Sequence, residues 1–521
     1  MKNIIVYLVT VLLAITTSAY SAEDISPVVS LLLKPPICKC RATLLADLNG
    51  PGNQPYAKRA HFTDLGNLTL FFADHPDTGI ELWVTDGTPA GTHIVKDIYP
   101  GPDDGIFTAD STLRNMIRVG DKVYFLADDG THGRELWATN GTASGTYMVM
   151  DINDGNSNSH SRIKDLTEFN NKLYFLVGDA GGTQFQNQGL WVSEGTAATT
   201  RVVASPPIVG TWSGEVSGTM IVFKNNLFFV ASGQDAGGQD TGYELWKSNG
   251  ISGASLVMDI QPGTSDSGIS QFTVVGNKLY FMADDGTHGR EVWVSDGTTS
   301  GTNMVKDIYP EQEDGAIQIN IDWGSKRNPG FHDKLYFIGK APQTGVELWV
   351  TDGTEAGTKL VRDIVPGPGS PFCLNQCTSI LAFPSGEVFN NRFYFSSRAQ
   401  SQGQSTPYEE EALWRVNEDG SATMQMYTGI GGVDELAAND NYLFFSSDLG
   451  GNHPVREDRE LEIMDKEGRT RVLDILPGRP QSWPQFFHIR NDQSLLFVTN
   501  NPSYAPGVGL YRVTCPVEAD Q

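Results

Sequence analysis

Positive charge is scarce in this chain. Its 521 residues include 37 Lys and Arg against 62 Asp and Glu, which gives a formal net charge of −25. Nucleic acids and anionic membrane surfaces are bound through clustered basic side chains, so the composition argues against both kinds of partner. An acidic surface keeps a protein soluble. Calcium binding by some of the carboxylates outside the cell is the alternative, and no other cofactor is expected.

After the first residues, the sequence has no apolar run long enough for a membrane-spanning helix, which needs about 20 consecutive apolar residues. The start itself has Lys2, the apolar stretch Ile4–Ile15 and the small polar stretch Thr16–Ala22, an order typical of a secretory signal. We therefore expect an exported protein, secreted, periplasmic or at the cell surface, without membrane insertion. The predicted divisions are a signal peptide at 1–22, an N-terminal segment at 23–37, a repeat domain at 38–515 and a tail at 516–521.

Motifs of enzyme active sites are also missing. The sequence has no Gly-x-Ser-x-Gly, no His-Glu-x-x-His, no phosphate-binding loop and no closely spaced Cys/His cluster. His132 and His288 occupy the same repeated turn, Asp-Asp-Gly-Thr-His-Gly, which indicates a role in the scaffold. A glycosidase or polysaccharide lyase needs only a few side chains that folding brings together, so such an enzyme stays an alternative to a non-enzymatic protein.

The chain has only five cysteines, and they lie in three places: Cys38 with Cys40, Cys373 with Cys377, and Cys515. In an exported protein this number suggests disulfides with one thiol left over.

What the sequence has in abundance is a repeated phrase. It occurs first as Glu81–Thr88, Glu-Leu-Trp-Val-Thr-Asp-Gly-Thr, with Gly91-Thr92 and Val95–Ile98 at fixed offsets. The phrase recurs from Glu135, Glu244, Glu291 and Glu347, and in degraded form around Leu190, Leu413, Leu461 and Leu510. A repeat of roughly fifty residues is typical of stacked or circular repeat folds.

One repeat unit, residues 270–311, predicts the local structure. Four short runs rich in β-branched and aromatic residues are separated by Gly-Asn and Asp-Gly turns, as in an antiparallel sheet joined by tight hairpins. Repeated four-stranded units form the blades of a β-propeller. We predict an all-β protein with nine blades, or eight if the degenerate unit around Trp414 or Glu462 is not a blade. The second strands that give this count begin at Leu70, Val123, Leu173, Leu227, Leu279, Leu335, Phe393, Leu443 and Leu496.

The two ends of the chain are predicted to close the ring. The last unit has no fourth strand, while Thr43–Leu48 matches the fourth-strand pattern of His93–Ile98. The N-terminal strand should therefore complete the last blade and cover its open edge. This pairing brings Cys515 close to Cys38 and Cys40, so a disulfide to one of them is expected. A local bridge between Cys373 and Cys377 is a further possibility.

The phrase Glu-Leu-Trp-x-x-Asp-Gly-Thr-x-x-Gly-Thr resembles the ELWxxDGT repeat family of secreted bacterial proteins. The match covers nearly all of the chain after the signal and is closest around Trp83, Trp137, Trp246, Trp293 and Trp349. It is degraded at Trp191, at Trp414 and in the last two units. The resemblance implies an extracellular propeller-like array and no particular activity.

Residues that recur once per unit are predicted to belong to the scaffold. The repeat tryptophans should pack between neighbouring sheets, and the Asp-Gly-Thr aspartates should bond the backbone of their own turns. A second set of aspartates ends the fourth strands, where we expect them to accept backbone hydrogen bonds, with a ring of calcium sites as the alternative. This second set comprises Asp97, Asp151, Asp259, Asp307, Asp363 and Asp474.

Three tryptophans break the repeat: Trp212, Trp323 and Trp483. We place all three in links between a fourth strand and the next first strand, on the face that carries the loops of variable length. Trp323 has Lys326 and Arg327 beside it. Exposed tryptophans with basic neighbours suit stacking on sugar rings, whereas buried ones would only fill the top of the ring.

These observations lead to three hypotheses. The main one is an exported, non-enzymatic propeller, expected to be monomeric, that binds a carbohydrate or an extracellular protein on its variable face. The second is a carbohydrate-active enzyme that uses the same face. The third is a structural protein of the cell surface or matrix.

Overall fold

The computed structural model describes residues 40–48, 61–106, 116–152, 162–178, 188–204, 220–310, 312–319, 330–368, 385–397, 412–417, 420–427, 433–448, 459–475, 482–500 and 508–515. The chain divides into two units, of which one is Arg41–Thr514 and the other joins Met1–Cys40 to Cys515–Gln521. All the strands lie in the first unit. The predicted signal peptide and the C-terminal tail lie outside the described residues.

The first unit is a β-propeller of nine four-stranded antiparallel blades. After β1 (Arg41–Asp47), blade 1 contains β2 (Phe62–Leu65), β3 (Leu68–His75), β4 (Gly79–Thr85) and β5 (His93–Lys96). Blade 2 contains β6 (Met116–Val119), β7 (Lys122–Asp128), β8 (Arg134–Thr139) and β9 (Tyr147–Met150). Blade 3 contains β10 (Ile163–Phe169), β11 (Lys172–Val177), β12 (Gly189–Ser193) and β13 (Arg201–Ala204).

The middle blades follow the same order. Blade 4 contains β14 (Met220–Phe223), β15 (Asn226–Gln234), β16 (Asp240–Ser248) and β17 (Ser255–Met258). Blade 5 contains β18 (Ser270–Val275), β19 (Lys278–Asp284), β20 (Arg290–Ser295) and β21 (Asn303–Met304). Blade 6 contains β22 (Ala316–Gln318), β23 (Leu335–Ala341), β24 (Gly345–Thr351) and β25 (Lys359–Arg362).

The last three blades include both degenerate repeats. Blade 7 contains β26 (Gly386–Phe389), β27 (Arg392–Ser397), β28 (Ala412–Val416) and β29 (Ala422–Tyr427). Blade 8 contains β30 (Val433–Ala438), β31 (Tyr442–Asp448), β32 (Arg459–Asp465) and β33 (Thr470–Leu473). Blade 9 contains β34 (Pro484–Ile489), β35 (Leu495–Asn500), β36 (Val508–Thr514) and β1. The units around Trp414 and Glu462 are thus complete blades, which excludes the alternative of eight.

Helical structure is nearly absent. Among the described residues, the single helical element is the 3₁₀ turn Ala197–Thr199. No described helix has the length and apolarity needed to cross a membrane.

The core lies between neighbouring sheets, because each second strand is buried on both faces. Phe71 packs with residues of blade 9, whereas Leu70 and Phe72 pack toward blade 2. A strand covered on both faces has a continuous apolar run instead of an alternating one, which explains the Leu-Phe-Phe and Leu-Tyr-Phe segments. Trp293 is 5% exposed and packs with Phe228 and Val230 of the preceding blade, so its predicted role in packing is confirmed.

The predicted closure of the ring is also confirmed. β1 pairs antiparallel with β36, from Arg41 opposite Thr514 to Asp47 opposite Gly509. Cys40, which directly precedes β1, is disulfide-bonded to Cys515, which directly follows β36. Of the two predicted partners of Cys515, Cys40 is therefore the one that is used. Cys38, Cys373 and Cys377 lie outside the described residues.

Candidate binding face

The order of the strands gives each sheet two different ends. In an antiparallel blade, the turns between strands one and two and between strands three and four lie at one end, which we call the turn face. The connections between strands two and three, and from strand four to the next blade, lie at the other end, which we call the loop face. First strands of neighbouring blades contact one another, so they form the inner wall of the ring.

The turn face is built from short hairpins. Two residues connect the first and second strands in most blades, for example Asn170-Asn171 and Lys224-Asn225. These residues have φ values between 45° and 58°, as type I′ hairpin turns require. Asparagine adopts this left-handed conformation more readily than most residues, which accounts for the Asn-rich turns in the sequence.

Side chains on the turn face connect neighbouring blades. Lys224 Nζ donates to the carbonyl of Asp296 at 3.0 Å, and Lys247 Nζ donates to the carbonyl of Gly297 at 2.7 Å. The hydroxyl of Tyr174 donates to the carbonyl of Gly250 at 3.0 Å. These three polar side chains therefore help to hold neighbouring blades together.

The Asp-Gly-Thr turns are stabilised by hydrogen bonds within each turn, as predicted. Asp296 Oδ1 accepts hydrogen bonds from the Thr298 backbone N–H at 2.9 Å and from the Thr298 hydroxyl at 2.7 Å. These bonds, the side-chain bond first, lower the pKa of Asp296. Asn140 Oδ1 makes the same two bonds to Thr142 in its own blade. The aspartates of these turns therefore act as turn residues.

The loop face carries the variation in length. In blade 1, β3 ends at His75 and β4 begins at Gly79, whereas in blade 7, β27 ends at Ser397 and β28 begins at Ala412. In contrast, the loop that contains His132 is held by a contact within the loop, because His132 Nδ1 lies 2.8 Å from Asp129 Oδ2. His288 and Asp285 repeat this contact at 2.8 Å, so the predicted scaffold role of the two histidines is confirmed.

Trp483 lies where the sequence places it, between the fourth strand of blade 8 and the first strand of blade 9. It is half-buried and has a φ of 44°, a left-handed conformation that is rare for a bulky residue. Its Nε1 atom is shielded from solvent and has no hydrogen-bond partner among the described residues. Backbone strain of this kind costs of order 1–3 kcal/mol and tends to cluster at binding sites.

The strand bounds locate Trp323, Lys326 and Arg327 within the sequence of blade 6. These residues follow β22, which already pairs with β23, as Gln318 opposite Ile338 shows. The pairing resumes only at Phe331, which bridges to Lys334. In the sequence, residues 320–329 therefore come after β22 and not between β21 and β22.

The segment itself, with Trp323, Lys326 and Arg327, lies outside the described residues. Trp212, which comes between β13 and β14 in the sequence, also lies outside them. Of the predicted ligand-binding residues, Trp483 is the one that the structure describes.

The repeat glutamate is a feature that sequence reasoning missed. Glu291 is fully buried, and its Oε1 atom accepts hydrogen bonds from the backbone N–H groups of Ile308 at 3.0 Å and Tyr309 at 3.4 Å. It thereby fixes the chain where the fourth strand leaves the sheet. Glu81 and Glu244 make the same contact in their blades, to Tyr99 at 3.0 Å and to Ile260 at 2.8 Å. Its recurrence in the phrase was the signal that could have revealed this role.

Burial has a large effect on these carboxyl groups. Desolvation, the main cause, raises the pKa of Glu291 to about 8, and the pKa values of Glu81 and Glu244 to about 7. A nearby aspartate of the fourth strand adds to each shift: Asp307, Asp97 and Asp259, respectively.

The fourth-strand aspartates accept backbone hydrogen bonds in two blades, as expected. Asp97 Oδ2 accepts from the Gly101 N–H and Asp259 Oδ2 from the Gly263 N–H, both at 3.3 Å. Among the residues that the structure describes, no group of three or more His, Cys, Asp or Glu side chains could hold a metal ion.

Comparison with known proteins gives only distant likenesses. Neither a search of protein families nor one of curated proteins finds a match. Among solved structures, a puromycin hydrolase is similar to this chain, with 14% identity and a TM-score of 0.33. The similarity covers 74% of this chain and 58% of that protein. A GH74 enzyme from Niastella koreensis is 10% identical, over 84% of this chain and 74% of that one, with a TM-score of 0.33.

The β-propeller domain of the trilobed protease from Pyrococcus furiosus is likewise similar. It is 10% identical, over 80% of this chain and 99% of that domain, with a TM-score of 0.34. No activity is transferred from these proteins to this chain.

Proposed function

We propose that this protein is an exported, non-enzymatic member of the ELWxxDGT repeat family that binds a carbohydrate on the loop face of its propeller. The difference between the two faces is the observation that supports this function. On the turn face, two residues connect the first and second strands in most blades, and Lys224, Lys247 and Tyr174 donate hydrogen bonds to neighbouring blades. Loops of variable length on a rigid scaffold are where binding sites usually lie. The connection between the second and third strands, on the loop face, varies from His75–Gly79 in blade 1 to Ser397–Ala412 in blade 7.

Trp483 supports a carbohydrate as the ligand. Its ring is half-buried, so part of it is available for contact while the remainder is held by the protein. Its unpartnered Nε1 is a hydrogen-bond donor that a sugar hydroxyl could satisfy after a small displacement of the ring. The indole of tryptophan has an apolar ring and one N–H donor. It therefore suits a sugar ring, which has apolar C–H faces and polar hydroxyl groups.

The test is a glycan array probed with the mature chain, followed by calorimetric titration of the best ligand. Saturable binding of a sugar class, weakened by changes on the loop face and not on the turn face, is the expected result. The same ligands should be incubated with the protein and assayed for new reducing ends or unsaturated products. Turnover that survives purification and is lost on mutation of the loop face would replace the binding function by an enzymatic one. Binding of an extracellular protein and of no glycan would overturn the choice of ligand.

A further inference from the structure

The repeat glutamates face a second buried carboxylate. In blade 4, Leu245 pairs with Met258, so the next residues along the two strands, Glu244 and Asp259, lie opposite each other. Residues opposite each other in an antiparallel pair have their Cβ atoms about 4.5–5.5 Å apart and project from the same side of the sheet. Glu291 and Asp307 occupy the same repeat positions in blade 5.

Each of these pairs has oxygen atoms without a partner. Glu291 Oε2 and Asp307 Oδ1 are both shielded from solvent and accept no hydrogen bond from the described residues. Glu244 Oε1 and Asp259 Oδ1 are likewise unpaired within this part of the chain, although a hydrogen bond from the Ser267 side chain to the carboxyl group of Glu244 lowers its pKa. Two ionised carboxylates in this arrangement would repel each other and would lack the solvation that a buried charge requires.

Among the residues that the structure describes, no basic side chain forms an ion pair with Glu291. The other charged groups around Glu291 are Asp314, whose Oδ1 accepts from the Arg290 N–H at 2.9 Å, and residues of the next blade. There, Lys340 Nζ lies 3.6 Å from Glu313 Oε2 and 4.7 Å from the centre of the Tyr309 ring. Within the described residues, Glu291 has no ion pair, and its nearest charged neighbours, Asp307 and Asp314, are acidic.

We propose that the repeat glutamate is a proton-binding site: it is carried as a neutral carboxylic acid that donates a hydrogen bond to the fourth-strand aspartate opposite it. A protonated carboxyl group has one O–H donor. One proton per pair therefore supplies the missing partner for both orphan oxygens and removes one of the two charges. The proton comes from solvent and is released again when the chain unfolds at neutral pH.

The consequence is that the folded protein binds protons more tightly than the unfolded chain. The pKa of Glu291 is raised from 4.5 to about 8, and those of Glu81 and Glu244 to about 7. The stabilisation is therefore complete below pH 4.5 and is lost as the pH rises through about 7 to 8. This direction is opposite to that of the carboxylates whose pKa is lowered, such as Asp296.

The decisive variant is Glu291→Gln, because glutamine keeps the shape and places an N–H donor where the proton would be. In the wild type, the unfolding equilibrium constant should rise between pH 5 and pH 8. In E291Q, we expect this rise to be roughly 10- to 100-fold smaller. His132 and His288, whose pKa values are also raised, contribute a slope of the same sign and remain in both proteins. Glu355→Gln makes the same substitution at an exposed position and should leave the slope unchanged.

An unchanged slope in E291Q would overturn the proposal. So would a rise in wild-type stability with calcium that E291Q abolishes, since the glutamate would then be ionised and bound to a cation. If E291Q does not fold, the number of protons that the wild type releases on unfolding at pH 6.5 decides the question. A net release at this pH larger than the histidines can supply supports the proposal, and a release no larger than theirs contradicts it.

Discussion

His488 in the last blade lies against Asp64 in the first, with 3.0 Å between Nε2 and Oδ1. The contact crosses the seam where the ring closes, between β34 and β2. Arg490 strengthens the seam by donating to the carbonyl of Asn67 at 2.7 Å, and Arg512 donates to the carbonyl of Gly87 at 3.0 Å. The seam is therefore held by polar side chains as well as by the apolar cluster of blades 9 and 1.

Replacing Asp64 with Ala should weaken this seam. The change removes the contacts to His488 and to the Thr69 hydroxyl, and we expect a loss of about 1–3 kcal/mol in the free energy of unfolding. Burial raises the pKa of Asp64, but the bonds from His488 and Thr69 outweigh it and the net pKa is lowered. The stabilisation by Asp64 is thus present above pH 3.8 and fades as the pH falls below it, so the variant and the wild type should converge in acid. Chemical denaturation from pH 3 to 7 measures this, with the exposed Asp121→Ala as control; equal losses at both ends of the range would contradict it.

Removing the disulfide should destabilise the entire ring. Cys40 and Cys515 are 475 residues apart in sequence, and closing a loop of this size restricts the unfolded chain by up to about 5 kcal/mol. Cys40→Ser and Cys515→Ser should cost the same amount, because each breaks the same bond. Unfolding in urea with and without reductant tests this: the wild type should fall to the level of the variants on reduction. Different losses in the two variants would point to a second partner such as Cys38.

Deletion of residues 23–48 should have a larger effect than loss of the disulfide. It removes β1, the fourth strand of blade 9, and so exposes the edge of β36. We expect loss of cooperative unfolding for the whole propeller, measured by calorimetry. Fraying limited to blade 9, with the other blades unfolding at their former temperature, is the result that would count against a ring that is stable only when closed.

Replacing Trp483 with Ala should weaken ligand binding and change stability little. Stacking platforms for nucleic-acid bases lose about 1–3 kcal/mol per aromatic removed, and a sugar should lose a similar or smaller amount. The matched control is Trp293→Ala, since Trp293 is 5% exposed and its truncation should cost about 3–5 kcal/mol of stability. The same comparison applies to Trp212 and Trp323. A fall in melting temperature as large as that of the control would assign Trp483 to packing.

The Asp-Gly-Thr turns provide a test of turn chemistry. Asp296→Ala removes both bonds to Thr298 and should cost about 1 kcal/mol. Asp296→Asn should be close to neutral, because Asn140 makes the same two bonds in blade 2. Thermal melts of both variants distinguish the contribution of the hydrogen bonds from that of the charge.

The fold could be predicted from the sequence because its strongest signals are local. The Leu-Phe-Phe and Leu-Tyr-Phe segments each mark a second strand, and Asp-Gly and Asn-Asn pairs mark the turns between strands. Thr43–Leu48 could be assigned to blade 9 because a four-stranded repeat leaves one place unfilled. The choice of Cys40 over Cys38 required the register, in which Arg41 faces Thr514.

The candidate site was less predictable, for two physical reasons. The first strand of blade 6 has only three residues, Ala316–Gln318, before the segment that contains Trp323. So short a strand leaves no clear strand pattern in the sequence. Whether the buried oxygens of Glu291 and Asp307 have a hydrogen-bond partner depends on which other groups pack against them. This packing cannot be seen in the sequence. Ser482 donates to Glu460 at 2.8 Å in blade 8, whereas Gly315 follows Asp314 in the equivalent link after Glu291 and offers no such hydroxyl.

The bond between Cys40 and Cys515 also determines how the molecule responds to mechanical force. If the segments before Cys40 and after Cys515 are pulled apart, the tension passes from one sulfur to the other and does not reach the strands between them. The nine blades then carry no load, and the propeller keeps its shape under a pull that would unravel an open chain of the same sheets. Once the bond is reduced, the same pull acts directly on β1 and β36 and would peel them apart.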